Sequence, residues 1–322
     1  MIILTILEAI IFPGMVFAIA LALLFDWLER KTVARMMGRV GPLVAGPFGI
    51  FQPLADFLKL LYKEEIIPSY ADKTVFRFAP ALFFMAPLVA ILFVPIAGTT
   101  AIASFPYDLL FIIFVLAFAT FVVAVLSYSS ASSFTTVASG RLVLQYVSYE
   151  IPLVISIITP ALIVGSLSVA SIVSSQSVWW NLLLAPISFA VFIIALLAEL
   201  EKPPFDIPSA KTEIVAGWMT EFSGRPLGFL KLTKQISLVF GASLAVALFL
   251  GGPLGPVPTG PIPAGVFYTI YFLLKLFAVG FLIFVIRTAL TRLRIVDAAV
   301  LFWRILLPLS LVQTIIVLLV KF

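Results

Sequence analysis

Apolar runs long enough to cross a bilayer alternate along the chain with connections that hold nearly all of its charge. A helix crossing about 30 Å of hydrocarbon takes about 20 apolar residues. Eight stretches reach that length: 3–27, 75–97, 108–130, 142–168, 179–198, 227–251, 264–286 and 298–320. The pattern predicts an all-α membrane protein of about eight transmembrane helices, one integral membrane domain over residues 1–322. Two connections, 29–77 and 199–234, are long and carry helical periodicity of their own. Phe51, Leu54, Leu58 and Leu61 recur at helical spacing with Asp56, Lys59 and Lys63 on another face, which predicts a short amphipathic helix at the membrane surface or under a partner. In the second connection, Asp206 as N-cap, Pro208 in a first turn and Ser223-Gly224 before Pro226 predict a helix over 207–222. Its apolar stripe is Ile207, Ala210, Ile214, Trp218 and Phe222. Glu213, Gly217 and Glu221 fall on another flank, which sets the two carboxylates about 12 Å apart along the axis.

Hydrophobic residues make up 63% of the chain and charged ones 11%, with a mean hydropathy of +1.23, which excludes a soluble domain. The charge is also one-sided. Of the 20 basic residues, 17 fall in the connections after the first, third, fifth and seventh runs or within eight residues of them, whereas the intervening ones, near 98–107, 166–178 and 251–264, hold no charge. The positive-inside rule therefore puts the charged loops in the cytoplasm and both termini outside the cell membrane. The isoelectric point near 9.5 reflects this topology, so the expected surroundings are a lipid bilayer and not nucleic acid. The first run carries Glu8 and lacks a basic flank, and is expected to be retained. No internal repeat of the kind that builds inverted-repeat transporters is visible.

With no cysteine and no histidine, the chain offers no thiolate or imidazole for an iron–sulfur cluster, haem, zinc or general base work. No catalytic residue and no metal ligand is expected in it. The glycines of residues 38–49 alternate with prolines outside any strand-to-helix context, so they are not read as a phosphate cradle. Ionisable residues within spans are costly there and become functional candidates. Glu150 lies nine residues, about 13 Å, beyond Arg141, and Pro152 leaves the Ser148 carbonyl without its helical donor. Lys275 reaches a comparable depth from the opposite rim, so the spacing permits a Glu150–Lys275 charge coupling. Glu8 is a further candidate, and Asp297 with Arg304 is read as a structural pair on one helix face.

A set of motifs stands at the spacing of a known family: Glu29-Arg30-Lys31, Arg39-Val40-Gly41-Pro42, Gly46-Pro47-Phe48-Gly49 leading to Gln52-Pro53-Leu54-Ala55-Asp56 and Lys59-Leu60, Lys63-Glu64, Ala71-Asp72-Lys73, Gln145 with Ser148-Tyr149-Glu150, and Pro204-Phe205-Asp206 through Glu213-Ile214-Val215-Ala216-Gly217 to Thr220-Glu221-Phe222-Ser223-Gly224. Over its whole length the chain resembles the membrane subunit that joins the redox arm of respiratory complex I to its ion-pumping arm, known as subunit 1 or the H subunit, and the counterparts in membrane-bound hydrogenases. It departs from the pattern twice. Quinone-reducing relatives read GPNRxGP where this chain has Gly41-Pro42-Leu43-Val44-Ala45-Gly46-Pro47, and PEAExE where it has Pro208-Ser209-Ala210-Lys211-Thr212-Glu213.

These departures look closer to the ferredoxin-linked membrane-bound hydrogenases and sulfur-reducing complexes. That resemblance implies a non-catalytic energy-coupling subunit without a cofactor of its own. Its partners would be a nickel-iron-hydrogenase-like large subunit and an iron–sulfur subunit, which hold the nickel-iron centre and the clusters, together with antiporter-like and small membrane subunits that move protons or sodium ions. A quinone-site subunit of a complex I-type enzyme is the alternative, and a stand-alone cation-coupled transporter is the alternative of another class. Glu150, Glu199, Glu213, Glu221 and Asp72 would relay protonation changes, with Lys211 as a counter-charge and Lys275 as a further charge in the path. Docking would fall to Arg30, Lys31, Arg35, Arg39, Gln52, Asp56, Lys59, Lys63, Glu64, Lys202, Phe205, Asp206 and Arg225.

Overall fold

The computed structural model describes residues 2–258 and 263–321, leaving aside the side chains of 2–4, 211, 212 and 321. The first apolar run folds as two helices, α1 (Ile2–Ile10) and α2 (Met15–Met36), separated at Pro13, which has no N–H to continue the ladder. Helix α2 runs past its expected end at residue 27 because its charged turns are paired within the protein. Helix α3 (Gln52–Tyr62) is the expected amphipathic helix. Its Phe51, Leu54 and Leu58 stripe is exposed, and Pro53, Phe57 and Leu60 form the face that packs inward. Helix α4 (Lys73–Ile91) is capped by Asp72, which accepts from the N–H groups of Thr74 and Val75 at 2.9 and 3.3 Å. Then come α5 (Asp108–Ser129), α6 (Ser133–Val164), which starts earlier than expected on a Ser132–Thr135 capping box, and α7 (Val169–Ser175).

The fifth run is broken into α8 (Asn181–Leu184) and α9 (Pro186–Glu199), with Pro186 suited to a first helical turn. The remaining elements are α10 (Lys211–Ile214), α11 (Gly224–Phe249), α12 (Ala264–Ala289), α13 (Ile295–Leu301), a π-helical turn at Phe302–Leu306, and α14 (Leu307–Lys321). Seven helical stretches among the described residues are long and apolar enough to cross a membrane, and α9 is a shorter eighth. The protein is multi-pass and all-α.

Helix α11 is the axis of the bundle, flanked by α2, α3, α4, α9 and α12, and every residue from Leu238 to Phe249 is buried. Close neighbours require small residues there: a Cβ on Gly241 would stand 2.3 Å from Leu196 of α9. The helix ends among side chains, because carbonyls without water must find other donors. Gln176 donates to the Ala247 carbonyl and Asn181 to that of Leu248, both at 2.9 Å. Lys275 donates to the carbonyls of Leu250, Gly252 and Leu254 at 2.8, 3.0 and 2.8 Å, with Trp180 over it at 5.2 Å. All three ammonium donors are thereby used, so Lys275 makes no direct ion pair with Glu150.

The helix expected over 207–222 does not form either. In its place are the single turn of α10 and a 3-10 turn at Gly217–Met219, with the chain reversing through Val215 and Gly217 at φ 59° and 64°. The chain doubles back so closely that a Cβ on Gly217 would stand 2.1 Å from the Pro208 carbonyl oxygen. Asp206 accepts the Ser209 hydroxyl rather than capping a helix. The apolar stripe is buried nonetheless, with Ile207, Ala210, Ile214, Trp218 and Phe222 each at most 5% exposed. Phe222 stacks on Phe76 at 4.2 Å and Trp218 meets Phe83 edge-on at 6.4 Å. The segment is thus a plug folded over one end of the bundle, and Glu213 and Glu221 share no helical flank.

The charged connections form one rim. Lys202 meets Glu29 at 2.6 Å, the Ile66 N–H donates to the Ser223 hydroxyl at 2.9 Å, and Glu213 joins Arg141 and, at 3.5 Å, Arg292. The opposite rim is tied separately, by the Val169 N–H donating to Asp108 at 2.7 Å and the Gly251 N–H to Gln176 at 2.9 Å.

Candidate functional site

At the charged rim, α2, α3, α11 and the folded plug surround a cavity of about 910 Å³. Its walls carry an ion network. Arg30 bridges Asp26 and Asp56, each at 2.6 Å, while Gln52 donates to Asp56 at 2.9 Å and Gln235 to Asp26 at 3.1 Å. Partial burial pushes the Asp56 carboxyl up, but the hydrogen bonds from Arg30 and Gln52 outweigh it and hold the group below its ordinary range. Glu29 is 3% exposed, accepts from Lys202 and forms an ion pair with Arg287. Burial lowers the Lys202 pKa to about 7, the nearby Asp26 charge opposing the shift and the Lys234 charge adding to it.

Deeper in, Lys234 and Glu201 pair at 2.9 Å, and Trp218 Nε1 donates to the same carboxylate at 3.0 Å. This pair is a shared wall between the rim cavity and an inner space of about 50 Å³. Its lining is mostly apolar, but Thr120, Gln145, Tyr149, Glu199 and Ser237 also border it, and a space of that size beside several polar groups is able to hold ordered water. Within it Glu199 accepts from Thr120 at 3.3 Å and from Tyr149. Gln145 donates to the Ala198 carbonyl at 2.8 Å, and its own side-chain oxygen is buried without a partner among the described residues. Tyr149 and Glu199 also border a smaller space of about 10 Å³, which Glu150 and its hydrogen-bonding neighbour Tyr146 line too. Three carboxylates, Glu201, Glu199 and Glu150, therefore step from the rim cavity into the α5–α6 region, with the Thr120 and Tyr149 hydroxyls on Glu199 and that of Tyr146 on Glu150. Buried acidic groups chained in this way are the usual material of proton relays.

The other expected relay residues lie elsewhere. Glu213 is at the surface, where the Arg141 hydrogen bond and charge hold its carboxyl below the ordinary range. Glu221 is partly exposed and makes no ion pair among the described residues, and Asp72 is an exposed helix cap. The Lys211 side chain lies outside the described residues. Asp297 and Arg304 do not pair.

Many of the expected docking residues are engaged within the chain itself. Arg30, Gln52, Asp56 and Lys202 serve the rim network. Lys31 donates to the carbonyls of Pro42 and Phe48 at 3.1 and 3.0 Å, which staples the Gly41–Gly49 loop to α2. Phe205 is 1% exposed against Phe302, and Arg225 donates to the Leu61 carbonyl at 3.2 Å. Burial raises the Asp206 carboxyl, opposed by the Ser209 hydrogen bond and Arg292. Arg35, Arg39, Lys59, Lys63 and Glu64 face outward. Asp26, Glu201, Lys234 and Thr120 belong to the site without having been expected there. Asp26 and Glu201 carried a signal, since each is an acid within a turn of an expected span end, but their distant partners are invisible in one sequence.

A family model described as NADH dehydrogenase matches residues 8–318. The H subunit of NADH-quinone oxidoreductase from Dehalococcoides mccartyi is 38% identical over 300 residues, which cover 93% of this chain and 82% of the relative. The protein of the same name from Bacillus cereus is 37% identical over 315 residues, covering 95% and 93%. Matched from the first helix to the last, the chain belongs to the NADH dehydrogenase family of membrane subunits, the family of subunit 1 of complex I.

Proposed function

We propose that this chain is the membrane subunit on which a quinone-reducing electron-transfer arm docks, and that it passes the consequence of quinone reduction to ion-translocating subunits beside it. The observation that carries the reading is the rim cavity, within the size range of small-molecule sites, with the Glu201–Lys234 pair in its wall and Glu199 and Glu150 behind. A charge change in the cavity acts first on that pair, and in a poorly solvated setting small charge changes shift protonation. The relatives' printed names favour the quinone-linked reading over the hydrogenase-type one suggested by residues 41–47 and 208–213. Exposed Val40, Leu43, Val44 and Phe48 support docking of another polypeptide on the rim, where apolar side chains stand among outward charges. That rim is assigned to the cytoplasm by its positive charge.

The hydrogenase-type reading keeps one observation in its favour: the Gly41–Pro47 loop presents Leu43 and Val44 and no polar side chain. In it, partner subunits would hold a nickel-iron centre and iron–sulfur clusters. Photo-labelling of the native assembly with an azidoquinone separates the two. Label on peptides of α2, α3 or α11, displaced by excess quinone, is expected. Nickel in the assembly with no displaceable label would reverse the assignment.

A further inference from the structure

We infer that Arg304 receives a carboxylate from a helix of another membrane-embedded chain. Arg304 lies in the π-helical turn Phe302–Leu306 of the last span, where Phe302 is fully buried and Trp303, Arg304 and Ile305 all face outward. It makes no hydrogen bond or ion pair within the described residues.

Its depth follows from its neighbours. The Phe302 ring lies 6.3 Å from that of Tyr149, in the layer where Tyr149 and Thr120 meet Glu199. Thr120 is twelve residues, about 18 Å, from Asp108 at the opposite rim, and Arg304 is ten residues, about 15 Å, beyond Arg294 at the charged rim. An extended arginine reaches about 7 Å, so the guanidinium stops about 8 Å short of the rim layer even when it snorkels. A lipid phosphate in that layer is out of reach. An arginine at such depth is costly and is almost always found facing a bundle interior with a partner. The outward face of α13–α14 is therefore the interior of a larger bundle. A guanidinium's planar fork matches a carboxylate, and exposed Val300, Trp303, Ile305 and Leu309 provide the apolar surround that keeps such a contact dry. The inference rests on assembly with other membrane subunits, and not on which acceptor the complex reduces.

The test uses the native complex. A photo-crosslinking residue at Val300 or Ile305, with Arg304 in place, is expected to form an adduct on a helix of another membrane chain within one turn of an Asp or Glu. Arg304→Glu should then cut retention of that chain about tenfold, Arg304→Lys should keep most of it, and reversing the mapped carboxylate to arginine should restore it. Adducts with lipid alone, an adduct on a helix without a carboxylate, or unchanged retention in Arg304→Glu would each overturn the inference. A peripheral arm still bound in those cases leaves the docking role of the rim standing, so the two ideas fail separately.

Discussion

Glu29 is the most heavily committed acid in the protein, because it is nearly fully buried and holds two cations, Lys202 and Arg287. Removing one partner of a buried ion pair costs about 3–5 kcal/mol, since the charge left behind stays desolvated. Glu29→Gln strands both cations, whereas Lys202→Met leaves Arg287 paired. The purified assembly should therefore melt lower with Glu29→Gln than with Lys202→Met, and equal melting temperatures would show that Arg287 does not share the carboxylate. At the surface the energetics are different. Arg141 holds the Glu213 carboxyl below its ordinary value of 4.5. A depressed carboxyl contributes stability that is complete above the unfolded value and lost as pH falls through the lower, folded one. Protease cleavage within 205–224 should rise in the wild type as pH falls below about 4.5, and Glu213→Gln should show cleavage that does not change across that window.

Among the elements, the plug over 205–223 departs furthest from expectation. Periodicity correctly selected Ile207, Ala210, Ile214, Trp218 and Phe222 as inward residues, because burial depends on side-chain chemistry. It gave the wrong backbone, because the same spacing also suits a chain that turns at Val215 and Gly217 to lay its aromatics against α4. Gly217→Ala brings a Cβ against the Pro208 oxygen at a positive φ, a strain of about 1–3 kcal/mol. It should lower the melting temperature and open the plug to protease, and unchanged protection would mean that the turn relaxes at no cost. The spans were legible because a bilayer imposes both length and polarity on them. Their breaks at Pro13 and Pro186 were less so, since an apolar run reads the same whether or not it contains a kink. Tyr149, Glu199 and Thr120 meet only through folding, from positions up to 79 residues apart, so no local pattern announces the inner step of the site.

At the scale of the whole molecule, the proposed coupling runs from the ion-lined rim cavity past Glu201–Lys234 and the Glu199–Tyr149 pair to Glu150, residues that line adjoining spaces. Glu213, Glu221 and Asp72 stand outside that line, which narrows the proposed coupling to three carboxylates. The rim, with its exposed apolar loop, and the outward Arg304 are open ends toward other chains, as expected of a family member built into a larger complex. Glu199 is the link without which the line is cut. The most direct measurement is the number of ions translocated per electron pair by the reconstituted native complex carrying Glu199→Gln. Near-normal assembly and redox turnover with a several-fold lower ion yield is the expected result. Normal turnover with an unchanged ion yield would contradict a coupling role for the carboxylate string.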